Sequence, residues 1–230
     1  MKYLLRSSKK EPFFNRISVT MSFIILSVII SISVFILLAF NESLIDWFAL
    51  RPLSIMQGKY LWTLLLHIFV HGNFGHLFIN LFVLFSLGML CERIIGRKRF
   101  LWFYLLSGMF AGILSVLASD FFGYGIGEKI VGSPEIYMVG ASGAIFAIAG
   151  LIVVLLPKIR FMIIFLPFFS LPAYIMVPFI LILTWLASIF GGFPIGNVAH
   201  FGGFLYGLVY GVYLRQKYKK KIALLQRYFR

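Results

Sequence analysis

The sequence predicts an all-α membrane protein whose chain crosses the bilayer six times. Hydrophobic residues make up 61% of the 230 residues, and the mean hydropathy is +1.00, whereas soluble domains are about 45–50% apolar. The apolar residues form runs of spanning length, and clusters of basic residues flank these runs. Because hydrocarbon leaves backbone groups without water, each spanning run is predicted to be helical.

The predicted spans follow from the length of these runs, since a helix needs about 20 apolar residues to cross a bilayer. They lie at roughly 17–40, 74–91, 100–119, 141–157, 173–190 and 198–214. The first run is longer than the apolar core of a signal peptide, and no A-x-A site follows it, which predicts a retained span. Residues 41–73 contain no clean spanning run and are predicted to form a structured, partly embedded outer loop. Residues 161–172, broken by two prolines, predict an inner interfacial segment or a seventh, re-entrant one.

The distribution of charge orients these spans. Of the 21 Lys and Arg residues, 18 lie in the segments predicted to be inside, and five of the seven acidic residues lie outside, which is the positive-inside pattern. The predicted organisation is a basic cytoplasmic segment 1–16, a six-span catalytic domain 17–214 and a basic cytoplasmic tail 215–230. These basic ends are expected to attract anionic lipid headgroups. The net charge of +14 does not indicate nucleic-acid binding, because no polar domain is present to carry a basic face.

A few polar side chains lie within the predicted spans, where they are energetically expensive and are therefore candidates for function. They are His76, Asn80, Ser142 and His200. Ser142, His200 and His76 each precede the first charged residue at the inner end of their span by 15 or 16 residues. At 1.5 Å per residue, all three lie about 22–24 Å above the inner charges. A shared depth on three spans predicts one common site.

Small residues predict how two of these side chains meet. In span 6, Gly203, Gly207 and Gly211 follow His200 on one helix face, and such a GxxxG stripe permits close helix approach. Span 4 offers a matching surface, GASGAIFAIAG, at 140–150. Packing of the two surfaces would bring His200 beside Ser142, with Phe146 beneath the His200 ring.

Ser142 and His200 are expected to act together in nucleophilic catalysis. A serine hydroxyl needs a base to take its proton, and histidine is the usual one because its pKa lies near neutrality. Ser142 begins a helix, where free N–H groups and the dipole favour negative charge, and His76 and Asn80 can add donors to a developing oxyanion. No third, acidic member is evident, so a Ser–His dyad is predicted. The sequence leaves open that His71 or His76 orients the base.

Together, GASG at 140–143, AHFGGFLYG at 199–207 and His71-x4-His76-x3-Asn80 resemble the rhomboid proteases, as does Glu92-x3-Gly96 after Gly88. The resemblance covers about residues 45–214. The expected location is the plasma membrane of a prokaryote, and the resemblance implies a six-helix bundle that hydrolyses peptide bonds in or near transmembrane segments of membrane proteins. It also implies that Ser142 is the nucleophile, His200 the base, and His76 and Asn80 the oxyanion donors. The outer loop departs from the family, because Leu50 precedes Arg51 where the family often has tryptophan.

Simpler interpretations exist for each residue taken alone. Ser142 could cap a helix, and His76 with Asn80 could be an interhelical hydrogen-bonding pair. His67, His71 and His76 could form a metal site, but HExxH is absent, and no metal or cofactor is expected. A non-catalytic binder of transmembrane helices and a small transporter are the competing functions. A transporter would be expected to show internal repeats, which this sequence lacks.

Overall fold

The structure is a computed structural model that describes residues 18–163, 166–193 and 195–228. The predicted segment 1–16 therefore lies outside the described residues. The helices are α1 Val19–Phe40, α2 Pro52–Met56, α3 Thr63–Leu66, α4 Phe74–Val83, α5 Met89–Ile95, α6 Arg97–Phe122, α7 Glu128–Val131, α8 Ser142–Leu155, α9 Ala173–Gly191, α10 Asn197–Lys217 and α11 Lys219–Tyr228. A π-helical segment, Leu84–Gly88, joins α4 to α5, so these elements form one continuous helix.

The six predicted spans all appear as helices, which confirms the all-α membrane fold. In the described part of the chain, four helices are long and apolar enough to cross a membrane: α1, the joined α4–α5, α6 and α9. The fifth, α10, has 21 residues but contains many glycines and tyrosines. The sixth, α8, has only 14 residues, about 21 Å at 1.5 Å per residue. Because the hydrocarbon core is about 30 Å thick, α8 cannot reach both surfaces.

The short helix α8 forms the centre of the bundle, and ten of its 14 residues are buried. Its partner α10 packs on it through the predicted glycine stripe. A Cβ added to Gly207 would lie 2.0 Å from the carbonyl oxygen of Ala147, and one added to Gly150 would lie 2.4 Å from that of Phe204. Backbone therefore meets backbone along this interface, which fixes the two helices against each other.

Residues 41–73 are structured, as predicted. They contain the 3₁₀ turn Glu42–Trp47, α2, α3 and the 3₁₀ turn His67–Phe69. Trp47, Tyr60 and Trp62 pack together with ring centroids 5.4–5.5 Å apart. Aromatic side chains of this kind favour the boundary between lipid and water.

The segment at 161–172, which the sequence predicts to be interfacial or re-entrant, has a regular backbone structure that the sequence did not indicate. It contains two antiparallel strands, β1 Arg160–Ile163 and β2 Leu166–Pro172. Arg160 donates hydrogen bonds to the hydroxyl and the carbonyl oxygen of Ser170 across the pair. Prolines interrupt helices, and pairing of the strands satisfies the backbone groups that a helix would otherwise bond.

Glu92, in α5 of the second span, binds the N-terminal backbone of α1. Its carboxylate accepts hydrogen bonds from the backbone N–H of Val19 at 2.9 Å and of Thr20 at 2.8 Å, and from the Thr20 hydroxyl at 2.7 Å. Helix N-termini carry unpaired N–H groups and a partial positive charge. The buried carboxylate therefore acts as a cap supplied by another helix.

We expect Glu92→Gln to lower thermal stability, because an amide NH₂ would replace one oxygen that now faces N–H donors, and the charge on the cap would be lost. Hydrogen bonds to charged groups contribute about 1.5–3 kcal/mol each, so a loss of about 2 kcal/mol is expected. The measurement is thermal unfolding in detergent. Glu42→Gln, at an exposed carboxylate, is the matched control, and equal melting temperatures for the two variants would contradict the capping role.

Candidate active site

The structure brings Ser142 and His200 into contact although 58 residues separate them in sequence. The Nε2 atom of His200 lies 2.9 Å from the Oγ atom of Ser142, which is hydrogen-bonding distance. His200 is 8% exposed and Ser142 is half-buried. The nucleophile and base predicted from the sequence thus lie in the geometry that proton transfer between them requires.

The position of Ser142 excludes the simpler interpretation that its hydroxyl caps a helix. The N-cap residue of α8 is Ala141, and no side chain caps this helix. Ser142 is the first helical residue, and its hydroxyl is bonded to His200 instead. The first-turn N–H groups of α8 have no acceptor within the helix, so they are available at the helix end where Ser142 lies.

The His200 ring is held by stacking. Phe146, one turn after Ser142, lies beneath it with ring centroids 4.5 Å apart and an interplanar angle of 27°, as predicted. The Nδ1 atom of His200 is buried and has no hydrogen-bond partner among the described residues. In the described part of the chain, therefore, no acid lies on Nδ1, and the stacking on Phe146 orients the His200 ring.

His76 and Asn80 converge on the residue that precedes Ala141 and Ser142. A Cβ added to Gly140 would lie 2.8 Å from His76 Nε2 and 3.8 Å from Asn80 Nδ2. Gly140 also has a φ of +121°, which side chains disfavour. Glycine is thus required here for two reasons, and its small size lets the donors of α4 reach the start of α8.

The hydrogen-bond contacts of His76 and Asn80 show which of their hydrogens remain available to a substrate. The N–H of Gly72 approaches His76 Nδ1 at 3.5 Å, and Nε2, the ring nitrogen nearer Gly140, can act as a donor when it carries the ring proton. Asn80 donates one amide hydrogen to the carbonyl oxygen of His76 at 3.1 Å, which leaves its second amide hydrogen free to turn toward the site. Both can therefore supply a hydrogen to an anion near Gly140.

Within the described residues, the other two histidines form no hydrogen bond to the Ser142–His200 pair. The Ser31 hydroxyl donates to the carbonyl oxygen of Phe69 at 3.0 Å and lies 3.1 Å from His71 Nδ1, so this nitrogen faces α1, while the His71 ring packs edge-on against that of His76 with centroids 5.2 Å apart. His67 Nδ1 lies 2.8 Å from the carbonyl oxygen of Thr63. The His67 carbonyl oxygen accepts from Gly140 N–H at 2.9 Å, which helps to hold the turn before Ser142.

The sequence did not indicate the anchor that holds the segment leading to Ser142. Leu50 and Met138 exchange two backbone hydrogen bonds, at 3.0 and 2.7 Å. Next to them, Arg51 lies over the Tyr137 ring at 5.5 Å, and Tyr137 donates to the carboxylate of Asp46 at 2.7 Å. Burial and the adjacent Asp46 raise the pKa of Tyr137, so its hydroxyl stays protonated. The departure at Leu50 was the only sequence signal near this anchor.

A large cleft opens in front of Ser142 and His200. Its volume is about 1840 Å³, and its walls come from the joined α4–α5, α6, α8, α9 and α10. It reaches from the segment around Ser133 to β1. Small-molecule pockets are typically about 300–1,000 Å³, so this cleft is large enough for a polypeptide segment.

A comparison with protein families decides the classification. The family model described as the Rhomboid domain matches residues 58–217, which is more than half of the chain. The chain belongs to the rhomboid family. The rhomboid match contains Ser142, His200, His76 and Asn80, and with the apolar helices it identifies an integral membrane protein.

Individual rhomboid relatives are similar over most of this chain. Rhomboid-like protease 1 of Toxoplasma gondii is 29% identical over 182 residues, covering 77% of this chain and 55% of that protein. The presenilin-associated rhomboid-like protein, mitochondrial, of Homo sapiens is 28% identical over 175 residues, covering 75% and 42%. Rhomboid protease GluP of Bacillus subtilis (strain 168) is 33% identical over 135 residues, covering 56% and 24%. The chain thus spans about half or less of the length of these curated relatives.

Proposed function

We propose that this rhomboid protein is an intramembrane serine endopeptidase that uses a Ser142–His200 dyad. The observation that carries the proposal is the 2.9 Å contact between His200 Nε2 and Ser142 Oγ at the start of α8. Membership of the rhomboid family and the protease names of two relatives support it. A non-catalytic helix binder would have no need for this contact.

In the proposed reaction His200 acts first as a base and then as an acid. Nε2 takes the Ser142 proton while Oγ attacks the carbonyl carbon of the scissile peptide bond. The resulting imidazolium gives its proton to the leaving amine, and an acyl-enzyme remains. Water then attacks the ester, gives a proton to His200 and releases the acid, and Ser142 recovers its proton.

Negative charge develops on the former carbonyl oxygen during both steps, and fixed donors stabilise it. His76 Nε2, Asn80 Nδ2 and the first-turn N–H groups of α8 surround the proposed oxyanion position beside Gly140. Because these donors belong to rigid helices, they need little reorganisation when the charge appears. We assign His76 and Asn80 to oxyanion stabilisation on this basis.

The shape of the cleft supports a transmembrane polypeptide as the substrate. The apolar walls formed by α4–α5 and α9 match a membrane segment. Met138 uses both of its backbone groups to bond Leu50, so in an extended chain its neighbours Tyr137 and Val139 direct theirs to the opposite side. Both neighbours line the cleft, and an extended substrate near its cleavage point can pair there.

The proposed location is the plasma membrane of a prokaryote, with both termini in the cytoplasm and transmembrane proteins and membrane lipids as partners. The concentration of basic residues on one side supports the orientation. A C-terminal fusion to a reporter that is active only in the cytoplasm tests it, and inactivity of an intact fusion would overturn the orientation.

The function itself is tested by reconstituting the purified protein in liposomes with a panel of single-span substrates. Products read by mass spectrometry are expected to end within or near the spans. Labelling by a serine-directed fluorophosphonate is expected at Ser142 alone. Absence of cleavage across the panel together with absence of labelling would refute the protease assignment.

We expect His76→Ala and Asn80→Ala to lower kcat more than they raise KM, because both donors act mainly on the transition state. Loss of one oxyanion donor typically costs on the order of 100-fold. Asn73→Ala is a useful comparison, because Asn73 caps α4 by accepting from the His76 N–H at 2.8 Å and lacks contact with Gly140. An unchanged kcat in the His76→Ala, Asn80→Ala double variant would place the donors elsewhere.

A further inference from the structure

Three basic side chains from separate segments of the chain gather around Tyr218, which lies between α10 and α11. The guanidinium of Arg99 lies 5.2 Å from the Tyr218 ring centroid, and the ammonium groups of Lys217 and Lys221 each lie 5.9 Å from it. Arg99 also donates to the Tyr218 hydroxyl at 2.9 Å. These four residues are called the Tyr218 cluster below.

The cluster carries a local excess of positive charge. Among residues 18–163, 166–193 and 195–228, the ion pairs are Arg51–Glu135 and Arg97–Glu92, and neither includes a cation of the cluster. The face of an aromatic ring attracts cations, but it has no net charge and does not cancel their mutual repulsion. The arrangement is therefore complementary to an anion.

The surroundings of the cluster indicate which anion. Arg99 lies in the first turn of α6 and Lys217 ends α10, so both lie on the predicted cytoplasmic side. Trp102, one turn into the membrane from Arg99, is 55% exposed, and Tyr213, one turn before Lys217, is 48% exposed. An anionic lipid has the matching form, with a charged phosphate at the surface and apolar chains along the helices, and the cytoplasmic leaflet is rich in such lipids.

We propose that the Tyr218 cluster binds the phosphate headgroup of an anionic membrane lipid and thereby fastens α11 to the bundle. The helix α11 already contacts the core, since Ile222 is buried and Gln226 donates to the carbonyl oxygen of Leu155 at 2.9 Å. Leu155 is the last residue of α8, the helix that begins at Ser142. A lipid held between α6 and α11 stabilises the inner end of that helix.

The test uses the full chain in detergent and follows thermal unfolding during titration with dioctanoyl-phosphatidylglycerol. We expect a saturable rise in melting temperature that dioctanoyl-phosphatidylcholine does not reproduce. The test variant is Lys217→Gln, Lys221→Gln, which keeps the Arg99–Tyr218 hydrogen bond and removes only the exposed bond from Lys217 to the Tyr213 hydroxyl. The matched control is Lys98→Gln, Lys158→Gln, which removes two exposed charges from the same side.

The half-saturating lipid concentration is expected to rise about 30-fold in the test variant, because each basic residue beside an anionic headgroup contributes about 1 kcal/mol. It is expected to stay within twofold in the control, because Lys98 and Lys158 lie outside the Tyr218 cluster. Equal weakening in both variants would show that only overall charge matters and would overturn the proposal. An equal rise with inorganic phosphate would identify a free anion as the occupant and would also overturn it. An unchanged melting temperature of the parent protein during titration with phosphatidylglycerol would overturn the proposal as well.

Discussion

Ser142→Ala is expected to abolish peptide-bond hydrolysis while the protein remains folded and membrane-inserted. The substitution removes the proposed nucleophile, and loss of a serine nucleophile can cost on the order of a million-fold in rate. Folding is expected to persist because Ser142 does not cap α8, and alanine is a good helix former. Cleavage of reconstituted substrates and thermal unfolding measure the two effects separately.

Ser22→Ala is the matched control for this experiment. Ser22 is an exposed residue of α1 whose hydroxyl bonds to the carbonyl oxygen of Ser18 at 3.2 Å, and it lies outside the cleft. This control should retain full activity and fluorophosphonate labelling. Cleavage by purified Ser142→Ala protein at the parent rate would refute the catalytic assignment.

Gly203→Ala is expected to reduce activity by about 100-fold although it removes no catalytic atom. A Cβ at this position would lie 1.9 Å from the carbonyl oxygen of Gly143 and 2.8 Å from its carbonyl carbon. Because the obstacle is backbone, α8 and α10 must separate. Ser142 and His200 lie on these two helices, and a displacement of about 1 Å between reacting groups can cost about 100-fold in rate.

Gly202→Ala provides a comparison at the adjacent position. A Cβ there would lie 2.8 Å from the Cδ2 atom of Leu114 and 3.5 Å from the Cα atom of Ala111 on α6, so the close obstacle is the end of a flexible side chain. We expect only a several-fold loss, measured as kcat/KM alongside thermal unfolding. Equal losses in the two variants, with equal melting temperatures, would show that the α8–α10 contact does not set the Ser142–His200 distance.

The sequence alone allowed prediction of the helical membrane fold and of which residues meet. Apolar runs bounded by charges predicted six spans because a bilayer imposes length and polarity directly on the local sequence. The shared depth of Ser142 and His200 and the spacing of Gly203, Gly207 and Gly211 predicted the contact between α8 and α10. Both arguments needed only helical rise and periodicity, which are local properties of the chain.

Apart from the contact between α8 and α10, contacts between segments distant in sequence were decided only by the tertiary structure. The pairing of β1 with β2, the Glu92 cap on α1 and the Tyr137–Asp46 anchor each join residues that carry no matching local pattern. The role of Gly140 also depends on the tertiary structure, because the space it leaves is filled by His76 of another helix. Local sequence specifies where a helix begins and which of its faces carries small residues. The partner of a buried polar group, in contrast, depends on which segments the packed bundle brings together.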